Sequence, residues 1–187
     1  MEVKMNYNKE YCQLLIQNVE AWNHWREANN RKSIDLSGMN FSNYDLEGVD
    51  LSNCNLRNTS FIGSNLRFAN LNGADLTGAN LIGVNLRLAN LQQAILINTQ
   101  LCRANLSEAY MMKSIIHESD LSSCILYETE LGDAKLYKTD LSNAQLVNTH
   151  LTKADIILSN FQSAQIKNVD FRWTNKYHNQ ALIIDSN

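Results

Sequence analysis

The 187-residue chain has no proline and only seven glycines. Proline removes a backbone donor, so its absence suggests a fold in which almost every N–H is needed for pairing. Positive charge is not in excess: 16 Lys and Arg against 19 Asp and Glu give a net charge of −3. Phosphate-directed nucleic-acid binding therefore lacks its electrostatic footprint. No apolar run approaches the ~20 residues that span a bilayer. The opening "MEVKMNYNKEYCQLLIQ" carries Glu, Lys and Asn where a secretory leader would be apolar. The expectation is a cytoplasmic protein with no direct nucleic-acid or membrane partner.

Sites for chemistry are missing as well. Cys12, Cys54, Cys102 and Cys124 form no CxxC and no close pair, which suits neither zinc nor a disulfide framework and fits a reducing compartment. His24, His117, His150 and His178 have no Cys, Asp or Glu completing a metal set. There is no GxSxG, no Ser–His–Asp arrangement, no P-loop and no dinucleotide fingerprint. No catalytic, cofactor or metal residue is expected, and an enzyme is not expected.

What the chain does have is a period. In "ANLNGADLTGANLIGVNLRLANL" (Ala69 to Leu91) a Leu recurs every fifth residue, with Ala or Val two residues before it. Stepping by five from Leu36 to Phe171 meets 28 positions without interruption, of which 20 are Leu, four Phe, three Ile and one Met. From Val49 onward, the slot two before each centre holds only Ala, Ser, Thr, Cys or Val; the first three are larger, Ile34, Met39 and Tyr44. Steps of five would scatter Leu around a helix, which turns about 100° per residue. In a flat strand they would send successive Leu to opposite faces. The chain must instead turn a corner once per repeat and bring every centre back to one interior.

The run from Ile34 to Phe171 resembles the pentapeptide repeat family, whose motif A(D/N)LXX is matched by "ANLNG ADLTG ANLIG VNLRL". The resemblance implies an all-β solenoid, a right-handed quadrilateral β-helix of about seven coils. The centre and the small residue two before it would point inward. Coils about 4.8 Å apart would alternate one large and one small side chain at native packing density. Ordering one coil costs roughly 20–40 kcal/mol, which four buried Leu at about 1.5–3 kcal/mol each cannot offset. Each coil therefore depends on its neighbours, and the ends need covering.

Residues 1–33 read as an N-terminal capping helix, 34–173 as the β-helix and 174–187 as a C-terminal cap or dimer segment. In the first, Tyr11, Leu15, Val19 and Trp22, with Leu14 and Cys12 alongside, fall at helical spacing. One helix of about 20 residues is predicted over the first coil, with Asn6 or Asn8 as its cap. The "WNHWR" of Trp22 to Arg26 is similar to a segment of cyanobacterial family members. In the last, Trp173, Tyr177 and Ala181 to Ile184 could cover the final coil or form a homodimer contact.

Residues 20 apart would stack, so outward positions form ladders. One candidate partner surface is apolar: Ile95 and Ile115 share a ladder, and Ile97, His117, Tyr137 and Ile157 share the one beside it. Exposed Ile in successive coils suggests a protein partner or self-association. A second candidate is an acidic stripe of Glu108, Glu118, Asp120, Glu128, Glu130 and Asp140. Two functions follow. The first is a non-enzymatic rod presenting a patterned face to a protein. The second, implied by the resemblance, is a duplex-DNA mimic that occupies the DNA site of type II topoisomerases and confers quinolone resistance. Arg57, Arg67, Arg87 and Arg103 on the N-terminal half weigh against the mimic.

Overall fold

The computed structural model describes residues 2–175, with side chains from residue 10 onward. The expectations for Tyr177, His178 and Ala181 to Ile184 lie outside the described residues. From Asp35 onward every fifth residue pairs in parallel with the residue 20 positions later: Asp35 with Asn55, Asn55 with Asp75, Asp75 with Ile95, and so on around four ladders. Five of these segments lengthen into strands: β1 (Ile115–His117), β2 (Lys135–Tyr137), β3 (Gln145–Val147), β4 (Asp155–Ile157) and β5 (Gln165–Lys167). They join as β1-β2-β4 on one side and β3-β5 on another. The rest of each ladder is single bridges, because each side of the coil is only a few residues long.

The hydrogen bonds repeat with the sequence. Leu56 N–H donates to the Asp75 carbonyl (2.8 Å), Asp75 N–H to the Cys54 carbonyl (3.0 Å) and Asn58 N–H to the Thr77 carbonyl (3.0 Å). Each side thus gives about three bonds to the next level, which is why a proline would leave a gap. The centres from Leu36 to Phe161 are buried, the rings of Phe41 and Phe61 stacking 5.2 Å apart in register. Burial fades at the far end, where Ala164, Ile166, Val169 and Phe171 are only partly covered.

At all 28 corners the residue two after the centre has positive φ, and only six of them are glycine. Phe68, Leu88, Leu158 and Trp173 adopt this conformation with a β-carbon, at a cost of roughly 1–2 kcal/mol each, because the inter-coil ladder on both sides dictates the turn. At Gly73 and Gly78 a Cβ would also displace the Oδ1 of Asn53 and of Asn58 from the level below.

The small inward slot is more than filler. Where it holds Ala, the corner closes on itself, as Ala79 N–H to the Leu76 carbonyl (2.9 Å). Along one edge the slot holds a hydroxyl in four successive coils and the side chain reaches down one level instead: Thr99 to the Leu76 carbonyl (3.0 Å), Ser119 to Leu96 (2.6 Å), Thr139 to Ile116 (2.5 Å) and Ser159 to Leu136 (3.0 Å). A buried hydroxyl must be bonded, and these satisfy carbonyls along one inner edge. Strands β1, β2 and β4 run directly into Ser119, Thr139 and Ser159, so this edge accompanies the most extended side.

The N-terminal segment departs from the single predicted helix. It forms α1 (Glu2–Gln17) and α2 (Val19–Ala28). Asn18 is extended and its side chain accepts from Ala21 N–H at 2.9 Å, capping α2 and breaking the run. Asn6 and Asn8 fall inside α1 and are not its cap. Leu15 and Trp22 are fully buried, and Tyr11, Cys12, Leu14 and Val19 pack partly against the core. Of the three large slots, Ile34 is buried and Met39 half-buried, but Tyr44 is 41% exposed. Tyr44 stays uncovered because the bonds from α2 to the coils go to residues 48–52, away from it.

Those bonds take the place of a level that does not exist. Elsewhere the Asp50 type of amide donates to the level below; here Asn23 Oδ1 accepts it at 2.8 Å, while Asn23 Nδ2 donates to the Gly48 carbonyl at 2.9 Å. Trp22 Nε1 donates to the Asp50 carbonyl at 2.8 Å. Arg26, fully buried, donates to the carbonyls of Lys32 and Ser52. Its charge is balanced by Asp50, which is ion-paired to Arg31 at 2.9 Å. Burial pushes the Asp50 carboxyl up, but hydrogen bonds from the Ser52 hydroxyl and amide and from Arg31, with the charge of Arg26, together hold it below the usual carboxylate range.

Two outcomes are expected. Asn23→Ala should cost about 1–3 kcal/mol in urea unfolding, since it strands an amide and a carbonyl, whereas Gln13→Ala on the exposed side of α1 should cost less than about 0.5 kcal/mol; equal effects would mean that α2 does not complete this edge. Because folding lowers the Asp50 pKa, the stability its carboxylate contributes is complete above the unfolded value of about 3.9 and is lost as pH falls through the folded value. Asp50→Asn should therefore flatten the fall in stability between about pH 5 and pH 2, measured by urea titration at each pH.

Candidate functional site

With the interior committed to packing, only outward side chains can meet another molecule. Four faces are defined by the ladders, and each is best known by one member: Ile95, Asp120, Ile125 and Glu130. Burial pushes the thiols of Cys12 and Cys54 up to about 11 and that of Cys124 to about 12, so none of these three is a thiolate nucleophile near neutral pH. Among the described residues, no group of three or more His, Cys, Asp or Glu is placed to hold a metal, and no helix is long and apolar enough to cross a membrane.

The Ile95 face brings all six residues of the predicted apolar surface together. Ile95 pairs with Ile115, Ile115 with Lys135, and Lys135 with Asp155, while His117, Tyr137 and Ile157 are in register beside them. All four Ile, His117 and Tyr137 are half-buried by their stacked neighbours. The His117 ring meets Tyr137 edge-on at 5.9 Å. Lys138 Nζ lies 5.1 Å from the Tyr137 ring and bonds Glu118 at 3.3 Å. Three members were not anticipated from sequence. Lys135 and Asp155 flank the isoleucines, and Leu158 at the corner is 45% exposed. Other large exposed apolar side chains lie off this face, Phe68, Ile125 and Tyr127 on the Ile125 face and Ile62, Tyr110 and Trp173 on the remaining two.

The acidic residues form no continuous stripe. Asp120 and Asp140 stack on one face, Glu108 and Glu128 on the corner of the Ile125 face, Glu130 on its neighbour and Glu118 at the corner of the Ile95 face. The reason is the period: residues separated by five, ten or fifteen fall on different sides, and only multiples of 20 stack. Most are also engaged. Glu108 holds Arg87 at 2.6 Å, Glu118 holds Lys138, and Glu130 meets His150 Nδ1 at 2.8 Å. Asp120 and Asp140 accept the amides of Ser122 and Ser142. Glu108, Glu128 and Glu130 line a shallow depression with Tyr110 and His150. Of the N-terminal arginines, Arg57 pairs with Asp75 at 3.0 Å and Arg67 with Glu47 at 3.8 Å.

A four-sided parallel β-solenoid with a five-residue side is the class of protein that this geometry defines. Repeats of the pentapeptide repeat model, eight copies in all, match residues 33–67, 69–108, 85–122, 114–152 and 139–175, and the chain belongs to the pentapeptide repeat family. Members of this family fold as right-handed quadrilateral β-helices. Among solved structures the chain is similar to QnrB1, a plasmid-mediated fluoroquinolone resistance protein, with 17% identity over 78% of this chain and 84% of that one and a TM-score of 0.56; this likeness is one of fold. HetL, a pentapeptide repeat protein involved in heterocyst differentiation regulation from the cyanobacterium Nostoc sp. strain PCC 7120, is 27% identical over 75% of this chain and 71% of that one, with a TM-score of 0.43. A pentapeptide repeat protein of the Arabidopsis thaliana thylakoid lumen is 29% identical over 62% and 66%, with a TM-score of 0.47. No curated protein matches the chain.

Proposed function

We propose that this protein is a non-enzymatic binding rod: about seven stacked coils, closed at the N-terminal end by α1 and α2, that present the Ile95 face to another protein in the cytoplasm. The observation that carries this reading is the set of Ile95, Ile97, Ile115, Tyr137 and Ile157, half-exposed along β1, β2 and β4 and the level that bridges to β1 through Ile95. A polar residue would serve the fold equally well at each of these positions, so an apolar ladder there favours contact with a partner. Closure by α2 is supported by the bonds of Trp22, Asn23 and Arg26 to residues 48–52. A photo-crosslinking amino acid in place of Ile97 should yield a defined protein adduct in cells, suppressed by Ile115→Asp. An adduct pattern indistinguishable from that of the same label at Asn143, exposed on the Asp120 face, would sink the reading.

A second reading, inhibition of a type II topoisomerase by mimicry of DNA, draws on the depression where Glu108, Glu128 and Glu130 meet. The dispersal of the acids over several faces and their pairing with Arg87, Lys138 and His150 weigh against it. The purified protein is expected to leave DNA gyrase supercoiling unchanged even in large excess. Near-stoichiometric inhibition, lost in Glu108→Lys with Glu128→Lys, would put the mimic first.

A further inference from the structure

The Ile95 face is patterned for a particular occupant. Along its first ladder, from the N-terminal end, stand Asp35, Asn55, Asp75, Ile95, Ile115, Lys135, Asp155 and Asn175, of which the six from Asn55 to Asp155 surround the isoleucines. The N-terminal half carries Asp75 with Arg57 bonded to it at 3.0 Å. The C-terminal half carries Lys135, fully outward and without an ion-pair partner among the described residues, and Asp155 next to it. Opposite charges thus sit on either side of an isoleucine centre, at equal numbers of levels from it.

We infer that the occupant is a second copy of this chain, packed antiparallel about a two-fold axis that lies between the Ile95 and Ile115 levels and parallel to the strands. This deepens the reading of the Ile95 face as a contact surface and rests on it. The operation sets each ladder against itself in reverse order, as a self-complementary interface requires. Ile95 meets Ile115 of the other copy, and Lys135 meets Asp75. Asp155 comes to Asn55 and the neighbouring Arg57. In the second ladder Ile97 meets His117, Tyr137 meets Thr77, and Arg57, held by Asp75 of its own chain, meets Ile157.

Other registers fail on charge. A shift by one level in one direction brings Asp75 onto Asp155, and in the other direction it brings Asp75 onto Ile115. A parallel arrangement sets Lys135 against Tyr137 and Asp75 against Thr77, so neither charge gains an opposite one. Only the antiparallel register with its axis between Ile95 and Ile115 leaves every charge on the first ladder facing an opposite charge or an amide. The six levels stand about 24 Å tall and three residues, about 10 Å, wide. A footprint of a few hundred Å² is well under the ~800 Å² per partner of a standard interface, so the dimer is weak and reversible.

Sedimentation velocity on the full chain from about 10 μM to about 1 mM, the range suited to a small interface, tests this. The wild type should move from monomer toward dimer. Lys135→Glu should weaken association at least tenfold by facing Asp75, and Asp75→Lys in the same chain should restore it, with thermal unfolding showing that each variant is folded. If Asp75→Lys unfolds the chain, the exchange of Arg57→Glu with Asp155→Lys asks the same question: either single change weakens the dimer and the pair restores it. A monomer at the highest concentration, or association indifferent to Lys135→Glu, overturns the inference. A protein adduct at position 97 in cells would still stand in that case, so failure of the dimer is distinguishable from failure of the contact surface.

Discussion

Everything in this protein depends on the hydrogen bonds between one level and the next, 20 residues away. No coil can offset the entropy of its own ordering with its own contacts. A level is stable because Leu56 donates up to Asp75 and Asp75 donates down to Cys54, with the same exchange on the other three sides. That ladder explains the absence of proline. It also explains why 22 non-glycine residues, Phe68 and Leu158 among them, accept positive φ at corners: the strain at one corner is outweighed by the bonds on both sides of it.

The same dependence bears on the first level, which has no coil beneath it among the described residues. The chain answers with side chains in place of backbone. Asn23 supplies both an acceptor and a donor, Trp22 a donor and Arg26 a guanidinium. Burying Arg26 would be costly alone, and Asp50 makes it tolerable by remaining ionised nearby. The N-terminal helices are therefore tied to the solenoid by polar groups at the edge as much as by the apolar contacts of Leu15 and Trp22.

A fold that uses its entire interior for packing has only its surface left for recognition. The surface in turn is divided by geometry into faces that do not communicate. Acids close in sequence, such as Glu128 and Glu130, lie on adjacent sides, while Ile95 and Asp155, distant in sequence, share one. A binding site here is a ladder and is read across coils. The hydroxyls of Thr99, Ser119, Thr139 and Ser159 reinforce this on the Ile95 face, because they join its levels from inside.

The sequence alone determined the solenoid, the inward residues and the grouping of Ile95, Ile97, Ile115, His117, Tyr137 and Ile157, because an unbroken period of five converts residue number directly into position. Where the period stops, that conversion stops. The break at Asn18, the exposure of Tyr44 and the bonding of Asn23 and Arg26 to the first coils were decided only in three dimensions, since they depend on where α2 meets residues 48–52. The same is true of the acids. Their number is evident in the chain, but whether they form a stripe depends on the side each one occupies and on which cation, Arg87, Lys138 or His150, reaches it from the next level.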